Sequence, residues 1–537
     1  MVPGIAASEL YLDSERYWPP DTLTAMGKQL TPGEQKFEKA LMFNTSGTPQ
    51  NVNIYAANPS STSYGADNTY TNLMQELQAT YGSEYIVEFF PYDWRKTNYV
   101  AAQLLYEHIN NKNYSEVIIV AHSMGGIVTS LCIANHGGFL NGVTTIGNAK
   151  LNKLITIGTP WLGAPKALYV LETGNFMDVF HKQFFSNLWM KNLAQNIPGI
   201  YELLPSERYF GNGNYYLERK IGASDPWRSL SYATTGEHID KFFNKTVHSQ
   251  AKGLVNSSNL NSVYNKIIDG SINAYVIVGH NVKTISYMLM NDLGSANTVE
   301  IKWGDGTVPI NSATFNFAEM QRKPYYVDKV NHTDLVKASN STLQLVKNII
   351  NGVGDIPPGV TRSITAKNTF TGYKITAACP VDLTVLDNSN HWLGTVTSEG
   401  TDAVEEHNFD FYVCGEDNEI KIAFVNDISK IEIEGTGNGT MDFSIEQHVN
   451  GAVSKSIEYT NVPIADSTII KTDTNLNDDP KLYVDTNGDG NTDTEVQPDT
   501  INDNAKSYFK LWGKVTNWEK TPLNWFLLIA CFGWIWM

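Results

Sequence analysis

The first 350 residues alternate between two kinds of apolar pattern. Some segments are short apolar runs typical of buried strands, and others repeat their apolar residues at the spacing of an amphipathic helix. In chain order, the clearest of these segments read EYIVEFFPYDW, YVAAQLLYEHIN, VIIVAHS, IVTSLCIANH, KLITIGTP and AYVIVGH. Strand-like runs that alternate with helical runs are typical of a parallel sheet with crossover helices. The pattern therefore predicts an α/β domain over residues 1–350.

The pattern changes after a segment rich in Gly and Pro, NGVGDIPPGV, which we interpret as a linker at residues 351–360. The segments that follow are short and alternate apolar with polar residues, as in CPVDLTVLD, EIKIAFVN and KIEIEG. A period of two is typical of strands that bury one face. We therefore expect a small all-β, sandwich-like domain over residues 361–470 and an acidic segment at 471–500.

Length and charge support this division. A chain of 537 residues is too long for one ordinary hydrophobic core. The formal net charge is −17, and residues 355–500 account for it with 8 Lys/Arg against 26 Asp/Glu. Such an uneven distribution indicates modules with separate roles. The acidic balance argues against a nucleic-acid partner, whereas the oligomeric state is not indicated by the sequence.

The C-terminal region has a different character. Residues Pro522 to Met537 read PLNWFLLIACFGWIWM, which is almost wholly apolar and rich in Trp. This run is shorter than the roughly 20 residues of a membrane-spanning helix. It is preceded by lysines, as an interfacial segment is; they are Lys506, Lys510, Lys514 and Lys520. A buried core helix is the alternative, and we expect residues 501–537 to form a basic-flanked apolar helix that associates with a membrane.

The chain begins MVPGIAAS, without the basic and apolar leader of a signal peptide. We expect a membrane-associated protein at an extracytoplasmic or cell-surface location. In that location, the lysines before the tail would lie on the side that the positive-inside rule disfavours. A tail that lies in the membrane interface, further chain after Met537, or a lack of export would each remove this conflict.

A serine stands at the sharpest corner of the α/β pattern. The apolar run VIIV is followed by Ala121, His122 and Ser123, and a helical pattern begins directly afterwards. Small-x-Ser-x-Gly between a strand and a helix is typical of a nucleophile elbow, in which Ala121 and Gly125 allow the two elements to approach closely. Free N–H groups at the start of the helix favour negative charge at that point. We predict that Ser123 is a nucleophile that a histidine must deprotonate.

A nucleophile elbow predicts an acid and then a histidine, each after a later strand. The segment WGDGTVP places Asp305 in a tight loop after AYVIVGH, and KPYYVDKVNHTDLVK places His332 in the turn after another strand-like run. We predict His332 as general base and Asp305 as the carboxylate that orients it. The rivals are His122, which is adjacent to the serine and so should point away from it, and two residues whose positions are less suitable. These two are His280, which precedes the acid, and Asp334, which is better placed to cap a helix.

An acyl-transfer site also needs donors for the oxyanion. The backbone N–H of Met124, directly after the nucleophile, is the first candidate. The second should come from a loop after an early strand, and VPGIAAS provides a Pro-Gly turn from which the N–H of Ile5 could point at the serine. A plain N-terminal turn is the alternative interpretation of this segment.

Several motifs together resemble one family. The segments VPGIAAS, FFPYDWR, VIIVAHSMGG, LITIGTPWLGAP, IPGIYELLPS and GDGTVP occur in this order over roughly residues 1–350. They are similar to the lecithin:cholesterol acyltransferase family, which includes lysosomal phospholipase A2 and phospholipid:diacylglycerol acyltransferase relatives. The resemblance implies an α/β-hydrolase fold and acyl transfer on lipids through a Ser-Asp-His triad. It assigns the nucleophile to Ser123, the acid to Asp305, the base to His332, and the oxyanion donors to Ile5 and Met124.

The chain departs from the family pattern in three ways. The family has a full strand before its Pro-Gly turn, whereas Met1 and Val2 alone precede it here, which indicates a truncated N-terminus or a misplaced start codon. The elbow opens with Ala121 where the family has Gly, a change of one methyl group. The acidic module and the tail after residue 355 lie outside the resemblance.

Two further regions bear on the substrate and the site. A long aromatic insertion, at about residues 161–272, is expected to form a helical cap whose Phe, Trp, Met and Leu side chains suit an acyl chain. The alternative is a helical subdomain that buries its own aromatics. In PYDWR, Asp93 and Arg95 are interpreted as a structural pair near the site. We expect a lipid or acyl ester as substrate and a membrane surface as partner.

The acidic segment contains one metal-like motif. Asp485, Asn487, Asp489 and Asp493 follow the spacing D-x-N-x-D-G-x-x-D, which places oxygen ligands around a loop turned by Gly. This spacing suits calcium, although the usual Glu at the twelfth position is replaced by Val496. We predict a structural calcium site, with a solvated acidic turn as the alternative, and no cofactor for catalysis. The cysteines show no zinc-like spacing, and Cys379 with Cys414 can be a disulfide or two buried thiols.

The favoured function is therefore serine-dependent acyl transfer on lipid esters, by a lipase or phospholipase, an O-acyltransferase, or an enzyme that is both. The three residues are the same for water and for an alcohol acceptor, so the sequence does not decide between them. A carboxylesterase for small soluble esters is one alternative, against which the apolar cap and tail count. A catalytically dead hydrolase fold that binds surfaces through its acidic β-module is the other.

Overall fold

The computed structural model describes residues 1–19, 36–58, 63–175, 187–219, 228–291, 295–315, 320–337, 340–364, 370–403, 409–415, 418–476, 480–504 and 506. Along the chain, a mixed sheet flanked by helices is followed by a pair of antiparallel sheets. The alternation of strands and helices predicted for the first part of the chain is therefore confirmed.

The strands of the first part are β1 (Glu9–Leu12), β2 (Glu15–Trp18), β3 (Tyr55–Ala57), β4 (Glu116–His122), β5 (Gly137–Leu140), β6 (Val143–Ile146), β7 (Ala149–Ile157), β8 (Leu217–Arg219), β9 (Arg228–Ser229), β10 (Ala274–His280), β11 (Val282–Met290), β12 (Ala296–Gly304), β13 (Tyr325–Asp328) and β14 (Val360–Thr361). Its helices are α1 (Lys36–Leu41), α2 (Thr71–Tyr81), α3 (Asn98–Asn111), α4 (Met124–His136), α5 (Lys166–Thr173), α6 (Asn187–Ala194), α7 (Pro198–Tyr201), α8 (Tyr232–Phe242), α9 (Lys245–Val255), α10 (Ser258–Ile268), α11 (Ile310–Ala313), α12 (Asp334–Lys337) and α13 (Asn340–Asn351).

The strands of the second part are β15 (Gly372–Ala378), β16 (Val381–Leu386), β17 (Trp392–Thr397), β18 (Gly400–Ala403), β19 (Phe409–Cys414), β20 (Ile420–Val425), β21 (Lys430–Gly435), β22 (Gly439–Val449), β23 (Ala452–Ile464), β24 (Ile469–Asp473), β25 (Leu482–Asp485), β26 (Thr494–Val496) and β27 (Thr500–Asp503). Adjacent strands in both sheets of this part run antiparallel.

The centre of the first part is a parallel sheet. Strands β13, β10, β7 and β4 lie side by side in this order, and each pair is parallel. Val2 forms a parallel bridge with Ala121 and thus lies on the free side of β4, while β14 is antiparallel to β13 at the other edge. Because the carboxyl ends of parallel strands meet at one edge of a sheet, loops that follow these strands come together there.

Both faces of this sheet are covered by helices. In β4, Ile119 and Ala121 belong to the core that is shared with α3, α4 and α10, whereas Val120 belongs to the core that is shared with α2, α12 and α13. A strand buried on both faces must be apolar throughout, since neither of its faces meets water. The run VIIVA in β4 therefore reads as continuously apolar rather than alternating.

The predicted cap region is largely helical in its described residues. It contains α5 to α10 and the short strands β8 and β9, while residues 176–186 and 220–227 lie outside the described part of the chain. Strand β8 pairs with β11, which in turn pairs with β12. Helix α10 packs against α4, so the end of the region that we assigned to the cap contributes to the helical layer on the central sheet.

The second part encloses its own apolar core between two sheets. Their strand orders are β19-β20-β15-β22-β23-β27 and β18-β17-β16-β21-β24-β25-β26. Strands β24 to β27 pair within these sheets, so residues 471–500, which we treated as a separate acidic segment, contribute strands to the same domain. A buried ion pair joins the two parts of the chain, because Lys374 Nζ lies 2.9 Å from Glu300 Oε1.

The predicted C-terminal helix lies outside the described residues, since the description ends at residue 506. Within the described part of the chain, no helix is both long enough and apolar enough to cross a membrane. Cys132, Cys379 and Cys414 are free thiols, and the fourth cysteine, Cys531, is not described.

Candidate active site

Ser123 stands at the corner between β4 and α4 with a strained backbone. Its φ is 53° and its ψ is −128°, a combination that is unfavourable for any residue with a side chain. The corner is held in place because the N–H of Ser123 donates to the carbonyl oxygen of Ile157 at 2.9 Å, at the end of the neighbouring strand β7. The strain therefore arises where the chain turns directly from strand to helix.

Small residues after the serine are required by close packing. A Cβ atom on Gly125 would overlap the carbonyl oxygens of Val2 and Pro3, and one on Gly126 would overlap the side chain of Thr159. The first turn of α4 therefore lies directly against the N-terminal segment on one side and the loop after β7 on the other. This explains why the sequence reads Ser-Met-Gly-Gly at the point where the helix begins.

Three predicted residues meet at the carboxyl edge of the sheet. His332 Nε2 lies 2.8 Å from Ser123 Oγ, and His332 Nδ1 lies 2.7 Å from Asp305 Oδ2. Because a carboxylate only accepts hydrogen bonds, His332 Nδ1 carries the proton and Nε2 is free to accept from the serine hydroxyl. Asp305 follows β12 and His332 follows β13, so loops after separate strands supply the two side chains.

The orientation of Asp305 is fixed by its own loop. Its Oδ1 accepts hydrogen bonds from the backbone N–H groups of Thr307 at 3.0 Å and Val308 at 2.7 Å, which leaves Oδ2 for His332. The side chain of Asp305 is 1% exposed. Gly158, with a φ of +57°, lies so close that a Cβ atom there would be 3.1 Å from both Asp305 Oδ2 and His332 Nδ1. The site is therefore closely packed around the pair.

The rival residues do not contact Ser123 Oγ through their side chains. The ring of His122 bonds instead to Tyr70 Oη and to the carbonyl oxygen of His332. His280 Nε2 is 3.8 Å from Asp328 Oδ1, and Asp334 begins helix α12, where it is 4.0 Å from Lys337 Nζ.

The Pro-Gly turn lies against the serine. A Cβ atom on Gly4 would be 2.8 Å from Ser123 Cβ, so glycine is needed for this close approach. Two aromatic side chains hold the turn, since Tyr92 Oη donates to Pro3 O at 2.8 Å and Trp18 Nε1 donates to Ala6 O at 2.7 Å. The turn that carries Ile5 is thus held by hydrogen bonds beside Ser123.

The two predicted oxyanion donors are the backbone N–H groups of Ile5, directly after Gly4, and Met124, directly after Ser123. Met124 is the first residue of α4, where the N–H group has no acceptor within the helix. Neither Met124 nor Ile5 donates its N–H to another residue that the structure describes. Their assignment as oxyanion donors stays a prediction.

The PYDWR segment forms a buried ion pair. Arg95 donates from Nε to Asp93 Oδ1 at 2.9 Å and from Nη2 to Asp93 Oδ2 at 2.8 Å, and its Nη1 donates to the carbonyl oxygen of Leu41. Both charged groups are satisfied by protein partners, as expected of a structural pair.

Glu202 is a buried glutamate that the sequence analysis did not single out. It follows α7 in the cap region and is hydrogen-bonded to the start of α3, just after the PYDWR segment. Glu202 accepts from Thr97 Oγ1 at 2.5 Å and from the N–H of Asn98 at 2.7 Å, at the start of α3. Burial raises the pKa of Glu202 from its ordinary value of 4.5 to about 7, although these two hydrogen bonds counteract part of the shift. The motif IPGIYELLP contained this residue, but nothing in its pattern indicated a buried carboxyl group.

We expect Glu202→Gln to remove a pH-dependent loss of stability. Because the pKa in the folded state is raised, the contribution of Glu202 is fully present below pH 4.5 and is lost as the pH rises to about 7. The free energy of unfolding of Glu202→Gln relative to wild type should therefore increase by about 3 kcal/mol over this range. Urea unfolding at several pH values measures this difference. The exposed Glu207→Gln is the control, and parallel pH profiles for wild type and Glu202→Gln would contradict the prediction.

The calcium motif forms a tight loop between β25 and β26. Asp485 accepts backbone N–H groups from Asn487, Gly488, Asp489 and Gly490. Asp493 Oδ2 accepts from the N–H and the hydroxyl of Thr486. Among the described residues, no group of three or more His, Cys, Asp or Glu side chains could hold a metal ion. Calcium binding at Asp485, Asn487, Asp489 and Asp493 stays a prediction.

A family model for lecithin:cholesterol acyltransferase matches residues 55–256. The resemblance predicted from the motifs is confirmed over this range, which contains Ser123 and ends before Asp305 and His332. No curated protein sequence matches the chain.

Three solved structures are also similar to this chain. A chain of the Tle4–Tli4 complex has 12% identity and a TM-score of 0.44, with 65% of this chain and 97% of that chain covered. The Bacillus licheniformis lipase BlEst2 in its propeptide form has 12% identity and a TM-score of 0.28, covering 77% and 85%. Phospholipase PlaB from Legionella pneumophila has 10% identity and a TM-score of 0.24, covering 74% and 88%.

Proposed function

We propose that this chain catalyses serine-dependent acyl transfer from lipid esters, as a lipase or phospholipase, an O-acyltransferase, or both. The observation that carries the proposal is the continuous line of hydrogen bonds from Ser123 Oγ through His332 to Asp305 Oδ2, with lengths of 2.8 and 2.7 Å. A serine that is presented at a strained strand-to-helix corner and bonded to an oriented imidazole has what nucleophilic catalysis requires.

In the first half of the reaction, His332 Nε2 takes the proton of Ser123 as Oγ attacks the ester carbonyl carbon. The carbonyl oxygen becomes an oxyanion, for which the N–H groups of Ile5 and Met124 are the proposed donors. Asp305 stabilises the imidazolium that forms. The imidazolium then protonates the leaving alcohol, and the acyl group stays on Ser123 as an ester.

In the second half, water or an alcohol replaces the first leaving group. His332 removes a proton from the incoming hydroxyl, which attacks the acyl-enzyme carbonyl, and then returns the proton to Ser123 Oγ. With water the product is a free fatty acid, and with an alcohol it is a new ester. The chemistry on the protein side is the same, so the acceptor depends on what the site admits beside the acyl-enzyme.

Lipid esters are proposed as substrates because the family match covers much of the catalytic part and because the predicted cap is rich in aromatic residues. A carboxylesterase for small esters would need neither an apolar cap nor an apolar tail. A catalytically dead, surface-binding protein would not need the bonded arrangement around Ser123. We further propose that the tail attaches the enzyme to a membrane. We also propose that calcium bound by Asp485, Asn487, Asp489 and Asp493 stabilises the β domain without taking part in acyl transfer.

Lipid product analysis tests the proposal. Purified protein and the Ser123→Ala variant are incubated with vesicles of phosphatidylcholine and diacylglycerol, with and without an added alcohol acceptor. We expect free fatty acid, acylated acceptor or both to form with wild type alone, since the products require acyl-Ser123. Free fatty acid alone identifies a lipase or phospholipase, and a new ester identifies a transferase. Equal products from wild type and Ser123→Ala would overturn the proposal.

A further inference from the structure

A second line of hydrogen bonds lies beside the one that joins Ser123, His332 and Asp305. The backbone N–H of Gly4 lies 2.9 Å from Tyr70 Oη, and Tyr70 Oη lies 2.8 Å from His122 Nδ1. The other ring nitrogen, His122 Nε2, lies 3.0 Å from the carbonyl oxygen of His332. Tyr70 is 1% exposed and His122 is 2% exposed. The line therefore connects the Pro-Gly turn with the backbone of the proposed base through two buried side chains.

The direction of each hydrogen bond follows from the groups at the two ends. The N–H of Gly4 can only donate, so Tyr70 Oη accepts there and directs its own proton to His122 Nδ1. The carbonyl oxygen of His332 can only accept, so His122 Nε2 must carry a proton. His122 is thus the neutral tautomer with hydrogen on Nε2, and each of these polar groups has its partner.

Other features of the site favour the same neutral form. The rings of His122 and His332 are 4.7 Å apart between centroids, so a proton on both rings would place two positive charges side by side. Burial, with added repulsion from His332, lowers the pKa of His122 well below its ordinary value. The other ionisable group in contact with His122 is the hydroxyl of Tyr70, which burial also keeps neutral by raising its pKa.

Both ends of this line carry groups that the proposed reaction uses. Gly4 directly precedes Ile5, whose N–H is a proposed oxyanion donor, and Gly4 itself packs against Ser123 Cβ. The carbonyl group of His332 belongs to the residue that accepts the proton of Ser123. A shift of the turn or of this backbone by a fraction of an ångström would change how the oxyanion donor and the base are placed relative to Oγ.

We propose that Tyr70 and His122 are positioning residues that hold the Pro-Gly turn and His332 at a fixed separation around Ser123. The proposal rests on the proposed function of Ser123, Asp305 and His332. Neither residue touches the reacting atoms in this role. Their effect is to fix two elements that lie far apart in the sequence, and to keep an uncharged ring beside His332 when it becomes an imidazolium.

The test compares Tyr70→Phe with wild type on a long-chain ester. Loss of the hydroxyl leaves the N–H of Gly4 and the Nδ1 atom of His122 without their partner, while the ring still fills its place. We expect kcat to fall about 10- to 100-fold, because small misplacements of a catalytic group have effects of this size, and KM to change less than about twofold. Tyr64→Phe is the matched control, since its hydroxyl accepts from Gln78 Nε2 and lies on the same segment of chain; its kcat should stay at the wild-type level.

A measurement that does not depend on turnover separates this proposal from the proposed function. In protein labelled with ¹⁵N-histidine, the His122 signals, assigned with a His122→Gln variant, should show the neutral Nε2–H tautomer between about pH 5 and pH 8, the range in which an ordinary histidine changes its charge. A His122 ring that carries its proton on Nδ1, or that titrates near its ordinary pKa, would overturn the proposal even in an inactive protein. A folded Tyr70→Phe variant with wild-type kcat would also overturn it. If wild type is no more active than Ser123→Ala, the proposed function fails and the tautomer alone decides whether this hydrogen-bonded line exists.

Discussion

Replacing Ser123 with alanine is expected to lower kcat for hydrolysis of a long-chain 4-nitrophenyl ester by about 10⁶-fold. Without Oγ no acyl-enzyme forms, and His332 has no hydroxyl to deprotonate at the 2.8 Å contact that the structure shows. The loss should exceed that for replacement of Asp305 and be similar to that for replacement of His332, since without the serine–histidine pair the remaining groups can only assist direct attack by water. Labelling by a fluorophosphonate probe, which reacts with an activated serine, should disappear together with the activity.

The chain offers a matched control for this substitution. Ser130 lies in the same helix α4 and is fully buried, and its Oγ has no hydrogen-bond partner among the described residues. Ser130→Ala should therefore keep wild-type kcat and wild-type labelling. Residual labelling of Ser123→Ala at the wild-type rate would show that another residue is the nucleophile. Equal hydrolysis by wild type and Ser123→Ala would favour the non-catalytic, surface-binding alternative.

The position of Ser123 at a strand-to-helix corner could be predicted because the sequence pattern that indicates it is local. The strand, the corner and the helix are consecutive in the chain, and the packing that excludes side chains at Gly125 and Gly126 leaves a visible trace of small residues. Asp305 and His332 were harder to select, since other acids and histidines were available. For His332 the useful signal was its position after a later strand-like run, because β13 is parallel to β10 and loops after parallel strands converge at one edge of the sheet. Asp305 instead follows β12, which pairs antiparallel with β11 in a hairpin that the sequence analysis did not identify.

Tyr70 and His122 could not be assigned their contacts from the sequence. Their partners are set by the packing of α2, β4 and the N-terminal turn, and 52 residues separate Tyr70 from His122. No periodicity describes such a contact. The sequence indicated only that the ring of His122, the residue before Ser123, should point away from Ser123 Oγ, and the ring indeed bonds to other groups.

The acidic stretch after residue 470 shows how composition can hide strands. In β25, Leu482 and Val484 are buried while Tyr483 between them is 45% exposed. This alternation is typical of a strand with one buried and one solvent-exposed face. Flanking acidic residues and the Gly-turned loop at Asp485 dominated the composition of this stretch. A strand of four residues in such surroundings provides too few apolar positions for its period to stand out.

Replacing Asp305 with asparagine is expected to lower kcat by about 10⁴-fold while the protein stays folded. The reason lies in the loop around this carboxylate. Oδ1 accepts the N–H groups of Thr307 and Val308, so an asparagine must place its oxygen there and turn its NH₂ group towards His332. His332 Nδ1 would then have to accept, which moves the ring proton to Nε2. In that tautomer, Nε2 can no longer take the proton of Ser123.

A comparison with a second variant separates the effect of a changed His332 tautomer from the effect of losing a negative charge near the site. Asp334→Asn is the matched control, because Asp334 is only two residues from His332 but its half-exposed side chain faces Lys337 instead of the ring; it should leave kcat within about twofold of wild type. Steady-state hydrolysis of the same long-chain ester provides both values. A loss of similar size in the two variants would indicate that general electrostatics act on His332. Unchanged kcat in Asp305→Asn would show that the hydrogen bond from His332 Nδ1 does not orient the base, and Asp305 would lose its place in the proposed triad.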